Sequence, residues 1–280
     1  MFSAAPFFYT DSLFFVYIFH KNCYTVFMLH TIIAFFKFAF YLIGSRAHLK
    51  AAARLGAEGK IAERDALVKE KVAEWTKMVI GLSGSTVEVR GMEHIPESGP
   101  FVMVGNHQGY MDIPLLLGYV PKSIAFISKI EVLKVPLLSD WMKHMQCVFM
   151  DRKDRRQSVE AMSEAVNTVR RGYPLVIFPE GTRSKGGPVA EFKAGSFKLA
   201  YRSEAPIVPF TIDGTWRLWE EHKSLRKGHL ILTIHPPVPT AGLTKEEQSA
   251  IPALIQKTVE SALPKEHIRE TKASVKNIEN

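Results

Sequence analysis

The stretch VGNHQGYMDIPLLL, residues 104–117, sets a histidine and a carboxylate at the end of an apolar run. His107 and Asp112 stand five residues apart. On a continuous helix that spacing is a rotation of about 140°, so the two side chains would not share a face. A turn relaxed at Gly109 can instead return the carboxylate to the imidazole. A carboxylate on one ring nitrogen fixes the tautomer and raises the basicity of the other. Such a pair is a general base. The chain offers it no obvious nucleophile, since there is no Gly-x-Ser-x-Gly and neither Cys23 nor Cys147 stands beside a histidine in sequence. The pattern therefore points to an external hydroxyl. A structural histidine would show the same spacing, so the pair alone does not decide.

A second block, FPEGTRSKGG (178–187), ends a strand-like run with Pro179, Glu180, Gly181, Thr182 and Arg183. Gly181 permits close approach of the backbone to a ligand. Arg183 offers a planar fork suited to phosphate, and Thr182 and the backbone amides can add hydrogen bonds. The same composition also makes a solvated turn. DRKDRR (151–156) is either a solvated charge run or, through Arg152, another phosphate ligand. Lys193 in EFKAGSFKLA is a third candidate. No group of residues has metal-ligand spacing such as His-Glu-x-x-His, so no metal is expected.

The elements that must hold these residues follow from pattern. The chain has 280 residues, 46% apolar and 23% charged, enough for one large domain or two small ones. The net charge of +8 favours acidic partners: anionic lipid, phosphorylated substrates, an acidic carrier protein or nucleic acid. Nucleic acid is disfavoured, because the aromatics gather in the apolar N-terminus and do not interleave with basic residues. Two cysteines make no disulfide framework, which implies a reducing compartment.

Residues 1–43 hold 11 of the 18 Phe and four of the eight Tyr, and Asp11 is the one acidic residue before Glu58. LFFVYIF (13–19) and TVFMLHTIIAFFKFAFYLIG (25–44) are its apolar runs, and the second is about long enough to cross a bilayer. His30 and Lys37 interrupt it. The favoured reading is membrane association, as one spanning helix or as a hairpin in one leaflet. A buried core helix and a cleaved signal peptide are the alternatives, and the latter lacks a basic start and a small-residue cleavage site. Arg46, Lys50 and Arg54 follow directly, which predicts a catalytic domain on the cytoplasmic side.

Residues 46–80 read as one amphipathic helix. Strands are expected at 86–91, 100–105, 123–128, 147–150, 174–178, 206–212 and 229–234, and helices at 158–172 and 244–263. The pattern predicts an α/β fold with a mixed, largely buried sheet flanked by helices, preceded by the membrane-associated segment. The expected organisation is a membrane segment over 1–45, the amphipathic helix over 46–80, a catalytic domain over 81–265 and a charged tail over 266–280. Sites in such sheets lie in loops beyond strand ends, where His107 and Glu180 fall.

NHQGYMD, VFMDR, FPEGTRS and IVPF, in this order and spacing, resemble the four signature blocks of the glycerolipid acyltransferases, and among them most of all the 1-acyl-glycerol-3-phosphate (lysophosphatidate) acyltransferases. The resemblance covers roughly residues 75–235. It implies that His107 is the catalytic base and Asp112 orients it. It further implies that Arg152 and Arg183 hold a phosphate, that Glu180 and Gly181 shape the acceptor site, and that Pro209 shapes its wall. One departure is Gln146, where the family often has glycine. The implied reaction moves a fatty acyl group from acyl carrier protein or coenzyme A to a free hydroxyl of lysophosphatidate, with no further cofactor. Partners would be membrane lipids and the thioester carrier. Another lysophospholipid acceptor, a transacylation, or a non-catalytic lipid-binding protein are the competing readings.

Overall fold

In the computed structural model the backbone of residues 10–268 and the side chains of residues 27–268 are described. The side chains of the first apolar run and residues 269–280 of the expected tail lie outside that range. The strands β1 (Thr86–Arg90), β2 (Val102–Gly105), β3 (Ala125–Lys129), β4 (Val148–Met150), β5 (Leu175–Ile177), β6 (Ile207–Asp213) and β7 (His229–Ile234) form one sheet, in the order β1-β7-β6-β2-β5-β3-β4. Every pairing is parallel except β6 with β7. The helices are α1 (Thr10–Gly44), α2 (Arg46–Ala57), α3 (Ile61–Leu82), α4 (Asp112–Tyr119), α5 (Leu138–His144), α6 (Arg155–Arg170), α7 (Lys198–Ser203) and α8 (Lys245–Glu260). The fold is thus the expected mixed α/β architecture.

The central strands are apolar without alternation because both of their faces are covered. β2 and β5 are buried at every position. Successive side chains take opposite faces. Phe101 and Met103 enter the core with Val68, Val72 and Trp75 of α3 and Leu115 and Leu116 of α4. Val102 and Val104 enter the other core with Ala161, Ala165 and Val169 of α6 and Ile251, Ile255 and Val259 of α8. Each buried Val, Leu, Ile, Phe or Met side chain among them contributes roughly 1.5–3 kcal/mol by burial.

Several boundaries differ from the sequence expectations for physical reasons. The single helix over 46–80 is two helices. α2 closes at Gly59, which takes φ 73°, while Lys60 N–H bonds to the Leu55 carbonyl. Helix α6 begins a turn earlier than 158, because Asp154 caps it by accepting from the Arg156 and Gln157 amides. Helix α4 carries no amphipathic signal, since Pro114, Leu115, Leu116 and Leu117 are all buried. The folded domain also extends past 265: a short 3-10 turn, Lys265–His267, puts His267 in the interior.

Helix α1 is continuous over 35 residues, so the two apolar runs do not form a hairpin. One face of its described part docks on the domain. Phe38 packs on Trp75, the Tyr41 hydroxyl donates to the Lys71 carbonyl, and Thr31 Oγ1 accepts from the Leu225 amide. The Arg226 guanidinium lies 3.3 Å from the Phe27 ring centroid. The opposite face leaves Leu29, Ile32, Ile33, Phe35, Phe36, Phe40 and Ile43 exposed.

Candidate active site

β2, β5, β3 and β6 run parallel to one another along the middle of the sheet, so the loops leaving them emerge at one edge. His107 follows β2, Glu180 and Arg183 follow β5, and Thr215 follows β6. Asn106 holds the first of these loops in the sheet. Its Nδ2 donates to the Ile212 carbonyl and its Oδ1 accepts from the Ile212 amide, both at 2.8 Å, so a side chain takes the place of a strand residue.

The turn expected at Gly109 is present. Asp112 opens α4, and its Oδ2 accepts from His107 Nδ1 at 2.6 Å and from the Gln108 and Gly109 amides at 2.7 and 3.0 Å. Its Oδ1 accepts from the Thr215 hydroxyl. Asp112 is fully buried. The carboxylate is an acceptor, so neutral His107 carries its proton on Nδ1 and leaves the Nε2 lone pair free. The imidazole is stacked on Phe178, with centroids 4.1 Å apart.

Both oxygens of Glu180 are engaged by backbone amides. Its Oε1 accepts from the His107 amide at 2.7 Å and its Oε2 from the Ala190 amide at 2.8 Å. Burial pushes its carboxyl above the usual carboxylate range, although both amide bonds favour the charged form. Glu180, expected to shape the acceptor site, is thus tied by its carboxylate to the His107 loop. Pro209 also stands elsewhere than expected: it is paired with Val104 inside the sheet and is not among the residues lining the cavity.

That cavity has a volume of about 720 Å³ and contains His107, Gly181, Thr182, Arg183, Arg152 and Lys193 in its lining. Arg152 Nη1 donates to the Gly181 carbonyl at 3.2 Å. The space over Gly181 is taken by Lys193, whose Nζ would lie 2.7 Å from a Cβ there. Basic groups line this end, and among the described residues no carboxylate does. Ile113, Phe126, Met162, Val176 and Ile177 supply an apolar wall. An imidazole, a cationic cluster and an apolar surface thus share one space, as an amphiphile with an anionic head would require. Cys147 plays no part: it is buried, and its thiol is pushed up to about 12 by desolvation.

Gln146, the position where glycine is frequent in the family, has φ 62°. The chain turns there in a left-handed conformation after α5 and still delivers β4 and Arg152 to the cavity.

Two residues of the site have no local sequence signal. Thr215 follows a strand after Gly214 and looks like an ordinary turn hydroxyl. Glu220 sits in a charged run, WEEHK, yet its side chain is 1% exposed. It accepts from the Tyr110 amide and from Arg183 Nη1.

Residues 86–213 match the family model described as Acyltransferase. The chain is 34% identical over 186 residues to human 1-acyl-sn-glycerol-3-phosphate acyltransferase alpha, an alignment covering 65% of this chain and 64% of that protein. It is 34% identical over 166 residues to the probable 1-acyl-sn-glycerol-3-phosphate acyltransferase of Mycoplasma pneumoniae, covering 58% and 62% of the two chains. Both alignments thus span somewhat under two thirds of the relative's length. The crystal structure of the 1-acyl-sn-glycerophosphate (LPA) acyltransferase PlsC from Thermotoga maritima superimposes with a TM-score of 0.75 at 28% identity, over 90% of this chain and 99% of that one.

Proposed function

We propose, from the match of residues 86–213 to the acyltransferase family model, that the chain acylates the free sn-2 hydroxyl of a 1-acyl-glycerol 3-phosphate from a thioester, giving phosphatidate. The observation that carries this reading is the His107–Asp112 dyad opening on a cavity that also presents Arg152, Arg183 and Lys193. The names of the human, Mycoplasma and Thermotoga relatives give the acceptor class.

In this mechanism His107 Nε2 takes the proton of the acceptor hydroxyl as its oxygen attacks the thioester carbonyl. Asp112 keeps the Nδ1 proton in place and stabilises the imidazolium that forms. The tetrahedral intermediate then collapses. The new C–O bond remains, the C–S bond breaks, and the thiolate recovers the proton from His107. Arg183, Arg152 and Lys193 hold the acceptor's phosphate, and the apolar wall holds an acyl chain. The donor is a thioester of acyl carrier protein or coenzyme A, both of which are acidic and suit the basic rim. No further cofactor is required.

The exposed face of α1 supports membrane association, and we assign the domain to the cytoplasmic side because Arg46, Lys50 and Arg54 follow the apolar segment. The test is thiol release from an acyl thioester by purified protein with and without 1-acyl-glycerol 3-phosphate. Acceptor-dependent release, lost in His107→Ala, is expected. Release that ignores the acceptor overturns the reading.

A further inference from the structure

Arg183 is held from two sides. Its Nη1 donates to Glu220 Oε1 at 2.8 Å, and its guanidinium carbon lies 3.6 Å from the Tyr110 ring centroid. Glu220 lies in the loop after β6, 37 residues away in sequence. Its Oε1 also accepts from the Tyr110 amide at 2.9 Å, so one oxygen ties the His107–Asp112 turn to the arginine. Its Oε2 is buried and has no hydrogen-bond partner among the described residues. A Cβ at position 109 would come within 2.5 Å of that oxygen, so the turn needs glycine at this point to admit the carboxylate.

A buried carboxylate with one oxygen unpaired is a poor device for stability, because the desolvation cost is only partly offset. It is an effective device for aiming a guanidinium. Arg has five N–H donors in a rigid fork, and Glu220 engages only Nη1, the single hydrogen bond that this side chain makes among the described residues. The remaining donors belong to a side chain that lines the cavity. We propose that Glu220 is a positioning residue for the acceptor's phosphate. It fixes Arg183 by one nitrogen against Tyr110, leaves the rest of the fork for the phosphate, and sets the distance from that phosphate to His107 through the Tyr110 amide. This rests on Arg183 as a phosphate ligand in the proposed reaction.

The test is steady-state kinetics of purified full-length Glu220→Gln, Arg183→Lys and the double variant, with each substrate varied. Glu220→Gln keeps shape and an acceptor oxygen but removes the charge. Its KM for 1-acyl-glycerol 3-phosphate is expected to rise about tenfold, the factor that ~1.4 kcal/mol of lost charge-assisted bonding produces. The donor KM and kcat should stay within about threefold, since groups that touch only the phosphate chiefly affect binding. The double variant should be no worse in acceptor KM than Arg183→Lys alone, because the two act as one unit. Multiplying effects overturn the proposal, as does an unchanged acceptor KM in Glu220→Gln while Arg183→Lys raises it. In those cases the phosphate assignment of Arg183 survives. If Arg183→Lys itself leaves acceptor KM unchanged, that assignment fails and the role of Glu220 falls with it. Should Glu220→Gln fail to fold by circular dichroism, Glu220→Asp, which keeps the charge but withdraws it by a methylene, carries the same comparison.

Discussion

The His107 amide donates to Glu180 Oε1 across 73 residues, the same offset that pairs Val102 with Leu175 and Val104 with Ile177. The glutamate side chain continues the β2–β5 ladder three residues beyond the last backbone pair, Val104 with Ile177. A strand register set by apolar packing in the core is thereby carried into the loop that bears His107.

The dyad should dominate the chemical step. His107→Ala is expected to lower kcat by about 10²–10⁴ while leaving the far-ultraviolet circular dichroism unchanged, the usual worth of a positioned general base. Asp112→Asn should also cost heavily, because an amide cannot hold the Nδ1 proton in the same tautomer. Retention of more than about a hundredth of wild-type kcat in His107→Ala would count against the assignment.

Thr215 should matter through Asp112. Thr215→Val keeps the shape but strips the carboxylate's Oδ1 of its donor. An unpaired buried acceptor costs about 1–3 kcal/mol, so thermal unfolding should shift down by several degrees. Thr215→Ser, which restores a hydroxyl, should recover most of the loss. Equal damage from both variants would point to packing of the methyl group instead.

Glu180 gives a pH-dependent signature. Its folded carboxyl titrates above its ordinary value because of burial. Between the ordinary carboxylate range and that raised value the folded state binds more protons than the unfolded state. Its contribution to stability is therefore fully present at low pH and is lost as pH rises through the folded value. Glu180→Gln removes this slope. Urea unfolding of both proteins from pH 4 to 7 should show the substitution as most damaging at the acid end, with the gap narrowing upward; a constant gap would contradict the direction of the shift.

Gln146→Gly should stabilise. A non-glycine residue in the left-handed region costs roughly 1–2 kcal/mol, partly offset by the ~0.5–1 kcal/mol of chain freedom that glycine loses on folding. A rise in Tm of about 1–3 °C with unchanged kcat is expected for a domain of this size. A fall in Tm would mean that the contacts of the Gln146 amide with the Lys143 and His144 carbonyls outweigh the strain.

The membrane face can be tested without cutting the chain. Truncation of residues 1–43 would remove Phe38 and Tyr41 from their contacts with α3 and so confound anchoring with folding. Phe35, Phe36 and Phe40 to Ser changes the exposed face alone. Vesicle partitioning should drop by about a hundredfold or more, on roughly 1 kcal/mol or more per ring. Activity on a short-chain, water-soluble acceptor and the Tm should hold. Unchanged sedimentation with vesicles would put the anchor elsewhere.

Much of this was readable in the residues. β2 and β5 announced themselves as unbroken apolar runs, and the return of Asp112 to His107 followed from Gly109 once a helix was excluded by spacing. Three features were not readable, each for its own reason. Helix α4 is apolar on all sides, which erases the period that marks a helix. The backbone partners of Glu180 were hidden because a Glu-Gly-Thr-Arg turn does not say which way its carboxylate points; the answer depends on the β2–β5 pairing. Thr215 belongs to the site through a contact 103 positions away and Glu220 through contacts 37 and 110 positions away, and a glutamate inside WEEHK has the composition of a solvated face.

These spans also fix when in the life of the chain the site comes into being. Asp112 waits for Thr215, and Tyr110 waits for Glu220, so a nascent chain released only to residue 200 holds the whole of the His107 and Arg183 loops without a finished centre. Contacts of such sequence separation close late in folding, after their entropy has been overcome by strand pairing. Catalytic competence should therefore return during refolding together with the last docking of β6 and the loop beyond it, with no partially folded species that turns over substrate.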